Sequence, residues 1–177
     1  MPDVLLSFED LQAGDIVNGQ FAANGVTISS ADPSTPPMIF DTDNPTGGDQ
    51  DLATNNLGNV LILSEDGDSS DPDDNAGGGT FIFEFDEPSE VVNFTVLDVE
   101  ESGTVRLFDA NGTLIDTVAI HATGNNGQAT VNINADNVAR MEVQINGSGA
   151  IDNISYITPE PAPILDGVVE GLSLIHI

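Results

Sequence analysis

The sequence predicts an all-β chain, an antiparallel β-sandwich of jelly-roll type with long acidic loops. Three observations predict it. Apolar residues alternate with period two, most clearly where Phe81, Phe83 and Phe85 interleave with Ile82, Glu84 and Asp86, the pattern of a strand with one face in a core. Such segments recur at roughly 8 to 12 residue spacing with Gly/Asn clusters between them, as in a sandwich. No window has helical periodicity and no βαβ alternation occurs, which leaves antiparallel layers.

The expected elements run in order. Residues 4–8 (VLLSF) form a first strand and 25–30 (GVTISS) a second, entered through Asn24-Gly25, a dipeptide that tolerates the positive φ of a tight turn. Residues 37–41 (PMIFD) feed an acidic loop. Residues 59–63 (NVLIL) are apolar on both faces, so this strand is central or has its outer face covered. After a second acidic loop comes 80–86 (TFIFEFD), then VVNFTVLDV, and then TVRLF and LIDTVAI joined by Asp109-Ala110-Asn111-Gly112, a hairpin loop with Gly placed for a left-handed residue. ATVNIN, VARMEVQI and AIDNISY complete about ten strands.

A length of 177 residues suits one domain with its own core. Thirty acids face two basic residues, Arg106 and Arg140, for a net charge of −28, a balance that argues against nucleic acid or an anionic membrane surface as partner and favours cations. Without Cys there is neither a disulfide nor a thiolate metal site. No run of 18 apolar residues is present to insert into a membrane.

The acids are concentrated around 59–63. Asp41, Asp43, Asp49 and Asp51 precede that strand and Glu65, Asp66, Asp68, Asp71, Asp73 and Asp74 follow it. So many carboxylates repel one another unless water, salt or a bound cation screens them. Ca²⁺ takes six to eight oxygen ligands, and Asp, Asn and carbonyl oxygens on Gly-permitted turns supply that kind of shell; a solvated acidic surface is the alternative. Asp41, Asp43, Asp49, Asp51 and Glu65 are the loop candidates, and Asp74 is expected to be one of several interchangeable loop acids.

Strict alternation in the last strand puts Asp152 on one face with Ala150, Ile154 and Tyr156. A carboxylate leaning into a core is costly unless it is paired or holds a metal. Asp98, after Phe94 and Val96, poses the same question nearer its strand's end. Glu9, just past the first strand, meets Asp152 if the chain ends pair.

A first strand ending Phe8-Glu9 and a last strand Ile151-Asp152-Asn153-Ile154 resemble the bookend pattern of secreted β-sandwich modules such as MAM domains and the jelly rolls of carbohydrate-binding modules. The resemblance covers residues 4–156 and implies a structural Ca²⁺ held near the two chain ends by Glu9 and Asp152. Gly47-Gly48-Asp49-Gln50-Asp51-Leu52 and Asp71-Pro72-Asp73-Asp74-Asn75 are similar to stretches in modules of large exported bacterial proteins. The loops are neither EF-hands nor a repeated RTX nonapeptide.

Catalysis finds little here. His121 is the lone histidine of the module, Gly147-Ser148-Gly149 lacks a nucleophile-elbow context, and Trp is absent. The expectation is a non-catalytic, Ca²⁺-stabilised extracellular module acting as spacer, adhesive or ligand-presenting domain, with calcium and a glycan or cell-surface polymer as partners. A carbohydrate-binding module appended to a secreted enzyme is the alternative.

The module is expected to span residues 1–156, followed by a Pro-rich linker, 157–171, towards a missing downstream region. Residues 172–177 (LSLIHI) match an in-frame transposase mosaic-end adapter and are expected to be an artefact of sequencing. Residues 164–171 resemble the lead-in to RTX-like repeats, which implies secretion by a C-terminal, type I signal.

Overall fold

In the computed structural model, residues 3–160 are described. They form nine antiparallel strands: β1 (Val4–Leu6), β2 (Val26–Ser30), β3 (Pro37–Asp41), β4 (Asn59–Leu63), β5 (Gly79–Leu97), β6 (Gly103–Phe108), β7 (Leu114–Ile120), β8 (Gln128–Ile145) and β9 (Ala150–Ile157). Two short 3₁₀ turns, Ala22–Asn24 and Gln50–Leu52, are the only helical pieces among the described residues. None is long and apolar enough to cross a membrane.

The fold is the antiparallel sandwich read from the sequence, with one correction to its strand list. TFIFEFD and VVNFTVLDV are one continuous strand, β5, and ATVNIN and VARMEVQI are another, β8. Both bend midway. In β5 the register with β8 shifts between Glu84 and Ser89 and twice more before Asn93, around Pro88, which has no N–H for the ladder. In β8 the bend coincides with Asn134 and Asn137 at φ of 51° and 60°, a conformation that Asn adopts more readily than other non-Gly residues.

The bends let two strands serve both layers. The first half of β5 pairs with β2, and with the second half of β8, whose other edge carries β6 and then β7. The second half of β5 pairs with β9 and the first half of β8, and β9 continues to β4 and β3. Side chains from both layers, among them Phe81, Phe83, Phe94, Val105, Met141 and Ile154, make one main core.

A second, smaller apolar cluster explains the two-faced strand β4. Val60 and Ile62 point away from the main core, with Met38 and Phe40 of β3, and are covered by Leu52 and Leu57 from the loop between β3 and β4. Leu52 is fully buried, which contributes about 2 kcal/mol by area. The first acidic loop is thereby anchored on the sheet, and its carboxylates are held in place.

The hairpin at 109–112 forms as expected. Gly112 has φ of 77°, and Asp109 Oδ1 accepts from the Asn111 and Thr113 N–H groups. Strand β9 runs to Ile157, one residue past the expected module end. Residues 161–171 of the expected linker, and 172–177, lie outside the described residues.

Candidate metal centres

The first and last of the described strands, β1 and β9, pair with each other. One edge of β9 is paired with β4 at Ile151 and with β1 at Ile154, so Asp152 and Asn153 sit at the seam where the partner changes. Asn153 has φ of 51°, and the β5–β9 register shifts between Asn93 and Thr95 beside it. This bulge overturns the alternation read from the sequence. Ile151 joins Ile154 and Tyr156 in the main core while Ala150 belongs to the smaller cluster, so Asp152 lies on the Ala150 side and not on the face of Ile154 and Tyr156.

Asp152 is nonetheless buried, at 1% exposure. Its Oδ2 accepts from Asn153 Nδ2 at 2.7 Å, and its Oδ1 is buried with no hydrogen-bond partner. Burial pushes its carboxyl up to about 7, partly offset by the Asn153 N–H, and the charge of Glu9 adds a still smaller push upward. Glu9 is brought alongside by Phe8, whose φ of 59° turns the chain out of β1. Glu9 Oε1 accepts from the Asn59 N–H at 3.0 Å, and its carboxylate lies so close to Gly58 that a Cβ there would come within 2.6 Å of Oε2. Glu9 itself is exposed, so the seam has a buried and a solvent-facing carboxylate.

The two acidic loops dock on each other at one end of the sandwich. The Gly47 N–H donates to Asp71 Oδ1, Thr46 Oγ1 donates to the Pro72 carbonyl, and the Asp74 N–H donates to Asp49 Oδ2 at 2.8 Å. Gly47 permits this approach, because a Cβ there would lie 2.5 Å from that of Asp73. Two carboxylate triads result among the described residues. Asp49, Asp73 and Asp74 each offer an oxygen within 4.8 Å of the others, and so do Asp51, Asp98 and Glu100.

Ser148 links the triads. Its Oγ lies 2.6 Å from Asp74 Oδ2 and 3.4 Å from Asp98 Oδ2, and the Gly149 N–H donates to Asp74 Oδ2 at 2.7 Å. Asp98, at φ of 57°, is fully buried and accepts from the Asn126 N–H through Oδ1. Asn126 also ties the first acidic loop down: its side-chain amide donates to the carbonyls of Asp51 and Ala53. Burial is the main cause pushing Asp49 up to about 7 and Asp98 up to about 6, with neighbouring carboxylates adding to it. Asp73 and Asp74 are raised for the same reasons.

Of the residues singled out in the sequence, Asp49, Asp51 and Asp98 fall in these triads, and at the seam the charge of Glu9 acts on Asp152. Glu65 is exposed at the rim, its charge acting on Asp73. Asp41 caps its own turn, accepting from the Asp43 N–H and Asn44 Nδ2, and Asp43 is exposed. Asp74 is no interchangeable loop acid: it is 5% exposed and holds Ser148 and Gly149. Asp73, Glu100, Asn126 and Ser148 were missed because loop docking, which no periodicity reports, brings them together.

Neither arginine is free for either site. Arg106 and Arg140 both bind Glu142, at 3.0 and 2.6 Å, in the other layer. Separately, an open polar groove of about 380 Å³ is lined by Asn56, Thr95, Gln128, Thr130 and Asn153, with the amides of Asn56 and Gln128 hydrogen-bonded to each other across it.

No family profile and no curated protein matches the chain. Among solved structures, a DUF4465 family protein from Bacteroides caccae is similar at 11% identity, covering 88% of this chain and 99% of that one with a TM-score of 0.48. The carbohydrate-binding module TmCBM61, in complex with β-1,4-galactotriose, is similar at 12% identity over 78% and 94% of the two chains, TM-score 0.43. A family 6 carbohydrate-binding module is similar at 20% identity over 68% and 93%, TM-score 0.38.

Proposed function

We propose that the chain is a non-catalytic β-sandwich module stabilised by Ca²⁺ at the seam of its two ends, and that it serves outside the cell as a spacer, adhesive or ligand-presenting domain. The observation that carries this is Asp152 Oδ1, a buried carboxylate oxygen without a donor, on the residue whose neighbouring charge is Glu9. Such an oxygen is expensive to bury, and a hard divalent cation supplies the missing partner. Glu9 and Asp152 would hold the ion, with water on the exposed side, and the ion would fasten β1 to the end of β9. If the affinity is that of extracellular modules, with dissociation constants of about 10⁻⁴ to 10⁻³ M, the site would fill outside the cell.

Thermal melts in EDTA, Mg²⁺ and Ca²⁺ at one ionic strength test the proposal. One site of that affinity at about 10 mM Ca²⁺ gives roughly 1.4 to 2.7 kcal/mol, or on the order of 3 to 10 °C. Mg²⁺ should give less, since it prefers a rigid octahedron and releases water reluctantly. Overlaid Ca²⁺ and Mg²⁺ curves would mean that the ions merely screen the net charge of −28.

A second reading, a carbohydrate-binding module carried by a secreted enzyme, is favoured by the open groove between Asn56 and Asn153, whose amides and hydroxyls match the hydrogen bonding of sugar hydroxyls. Its test is a glycan array read with Ca²⁺ and with chelator. Binding abolished by Thr95→Ala with Gln128→Ala would establish it, and binding to no glycan under either condition would remove it.

A further inference from the structure

Strand β2 has an open backbone edge beside an uncharged groove. The Asp86 N–H donates to the Gly25 carbonyl and the Ala31 N–H to the Thr80 carbonyl, so the odd-numbered residues from 25 to 31 bond to β5. The main-chain groups of Ile28 and Ser30 turn the other way, where β2 has no strand partner among the described residues. The outer edge of the other layer is treated differently: residues 14–17 cover β3, with the Gly14 and Val17 N–H groups on the Ile39 and Pro37 carbonyls. An open strand edge is a template for another strand. Next to this one lies a groove of about 240 Å³ walled by Ile16, Val17, Ile28, Pro33, Pro36 and Pro37, with no charged side chain in its lining although the chain carries thirty acids. Ile16 is 39% exposed there. Such a place takes an extended segment that pairs with the edge and turns an apolar, acid-free side to the groove.

The fold delivers its own chain to this edge. Strands β9 and β2 lie along the same edge of β5, since β8 takes the opposite one, and both run antiparallel to β5. Strand β9 ends with Ile157 opposite Glu90, and β2 begins with Val26 opposite Phe85. Tyr156 seats this end against the turn that opens β2: its hydroxyl donates to the Asn24 carbonyl at 2.7 Å, and its ring meets Phe85 edge-on at 5.0 Å. A chain leaving Ile157 in its own direction finds the β5 edge occupied by β2, and the next edge in its path is the open one of β2. The residues from 161 on lie outside the described structure, but their sequence is suited to that path. Pro159, Pro161 and Pro163 are followed by 164–169 (ILDGVV). The stretch of β5 from Glu90 to Phe83, the partner of Ile28, measures at most about 23 Å at strand rise, and residues 158–165, extended as Pro-rich segments are, cover about 25 Å. Strand alternation sets Leu165, Gly167 and Val169 on one face and Asp166 on the other.

We propose that residues 164–169 dock in this groove as a strand parallel to β2, with Leu165 and Val169 turned to the groove and Asp166 to water. The segment after β9 is then a latch on the first layer that closes the edge of β2. The docking requires neither the cation nor the sugar of the two functional readings.

Amide hydrogen exchange of the full chain, resolved by NMR at Ile28 and Ser30, tests it. Both N–H groups should exchange about 100-fold or more slowly in the wild type, and should lose that protection in Leu165→Asp combined with Val169→Asp, while the amides of β4 stay unchanged and show that the sandwich is intact. Ile16→Asp, on the groove wall, should release them as well. Unprotected Ile28 and Ser30 in the wild type overturn the docking. Protection that survives in the double variant overturns it too, and if that protection grows with protein concentration the groove belongs to a second copy of the chain. Because the chain has no Trp, Leu165→Trp adds a single fluorescent reporter. Its emission should be blue-shifted, and should move to the solvent-exposed position when Ile16→Asp is added; solvent-exposed emission from both proteins overturns the proposal.

Discussion

The seam and the loop end both bury carboxylates, but they stabilise them by different means. At the loop end, Asp74 and Asp98 accept from main-chain N–H groups of Gly149 and Asn126, and a hydroxyl lies between them. At the seam, Asp152 is served only by its own neighbour Asn153 and keeps an orphaned oxygen. Fixed main-chain donors hold a carboxylate whether or not a cation is bound. A carboxylate with an orphaned oxygen would gain more from a bound cation. The loop end should therefore suffer most from deleting a side chain, and the seam from withdrawing calcium.

The largest effect is expected for Asp74→Ala. It leaves the buried Ser148 hydroxyl and Gly149 N–H without their acceptor, which should cost about 3 kcal/mol in urea unfolding, with or without Ca²⁺. A loss below about 0.5 kcal/mol would return Asp74 to the solvated surface that the sequence suggested for it.

Next comes Asp152→Asn, whose effect should change sign with the metal. In EDTA at pH 8 the amide removes a buried unpaired charge and should raise stability by about 1 kcal/mol. In about 10 mM Ca²⁺ the variant should forgo most of the roughly 1.4 to 2.7 kcal/mol that one such site supplies. The same sign in both buffers would show that calcium does not bind at the seam.

A smaller effect distinguishes the regions by pH. Asp49 and Asp152 are pushed up to about 7 and Asp98 up to about 6. Between the ordinary carboxylate range and those values the folded chain holds more protons than the unfolded one, so stability of the metal-free protein falls as pH rises from about 5 to 7.5. Melting temperatures in EDTA should decline across that window, and Ca²⁺, which competes with the protons, should flatten the curve. Asp98→Asn should make the decline shallower below about pH 6 only, and Asp152→Asn should make it shallower across the whole window, with Asp49 sustaining the remainder. The smallest effect is expected for Asp43→Asn at the exposed rim, within about 0.5 kcal/mol in either buffer.

Strand positions and the core were readable because period-two alternation is a local signal. Phe81, Phe83 and Phe85 all enter the core as their spacing requires. The two-faced strand 59–63 announced a cover, and Leu52 with Leu57 provide it. Strict alternation places Asp152 against the core, and it is buried, but on the opposite face, since one left-handed Asn153 inverts the alternation. Pro88 was present to mark the bend in β5, yet from sequence it looked like a gap between two strands. The pairing of Asp98 with Asp74 through Ser148 joins residues 50 and 74 positions from that serine. Nothing in the spacing of Gly147-Ser148-Gly149 records it, because the contact exists only after three separate loops have packed.

The position of β9 also dictates when this molecule can assemble. Its neighbours are β4 and β1 on one edge and β5 on the other, with Leu6 opposite Ile154 across nearly the whole module. Until Ile157 has left the ribosome the amino-terminal strand has no partner, and the apolar faces of β1, β4 and β5 stay exposed to other chains. Folding is thus a late event that waits for distant contacts, slow in the manner of all-β topologies and vulnerable to aggregation meanwhile. The dense negative charge of the loops, which burdens the finished structure, keeps nascent copies apart during that delay.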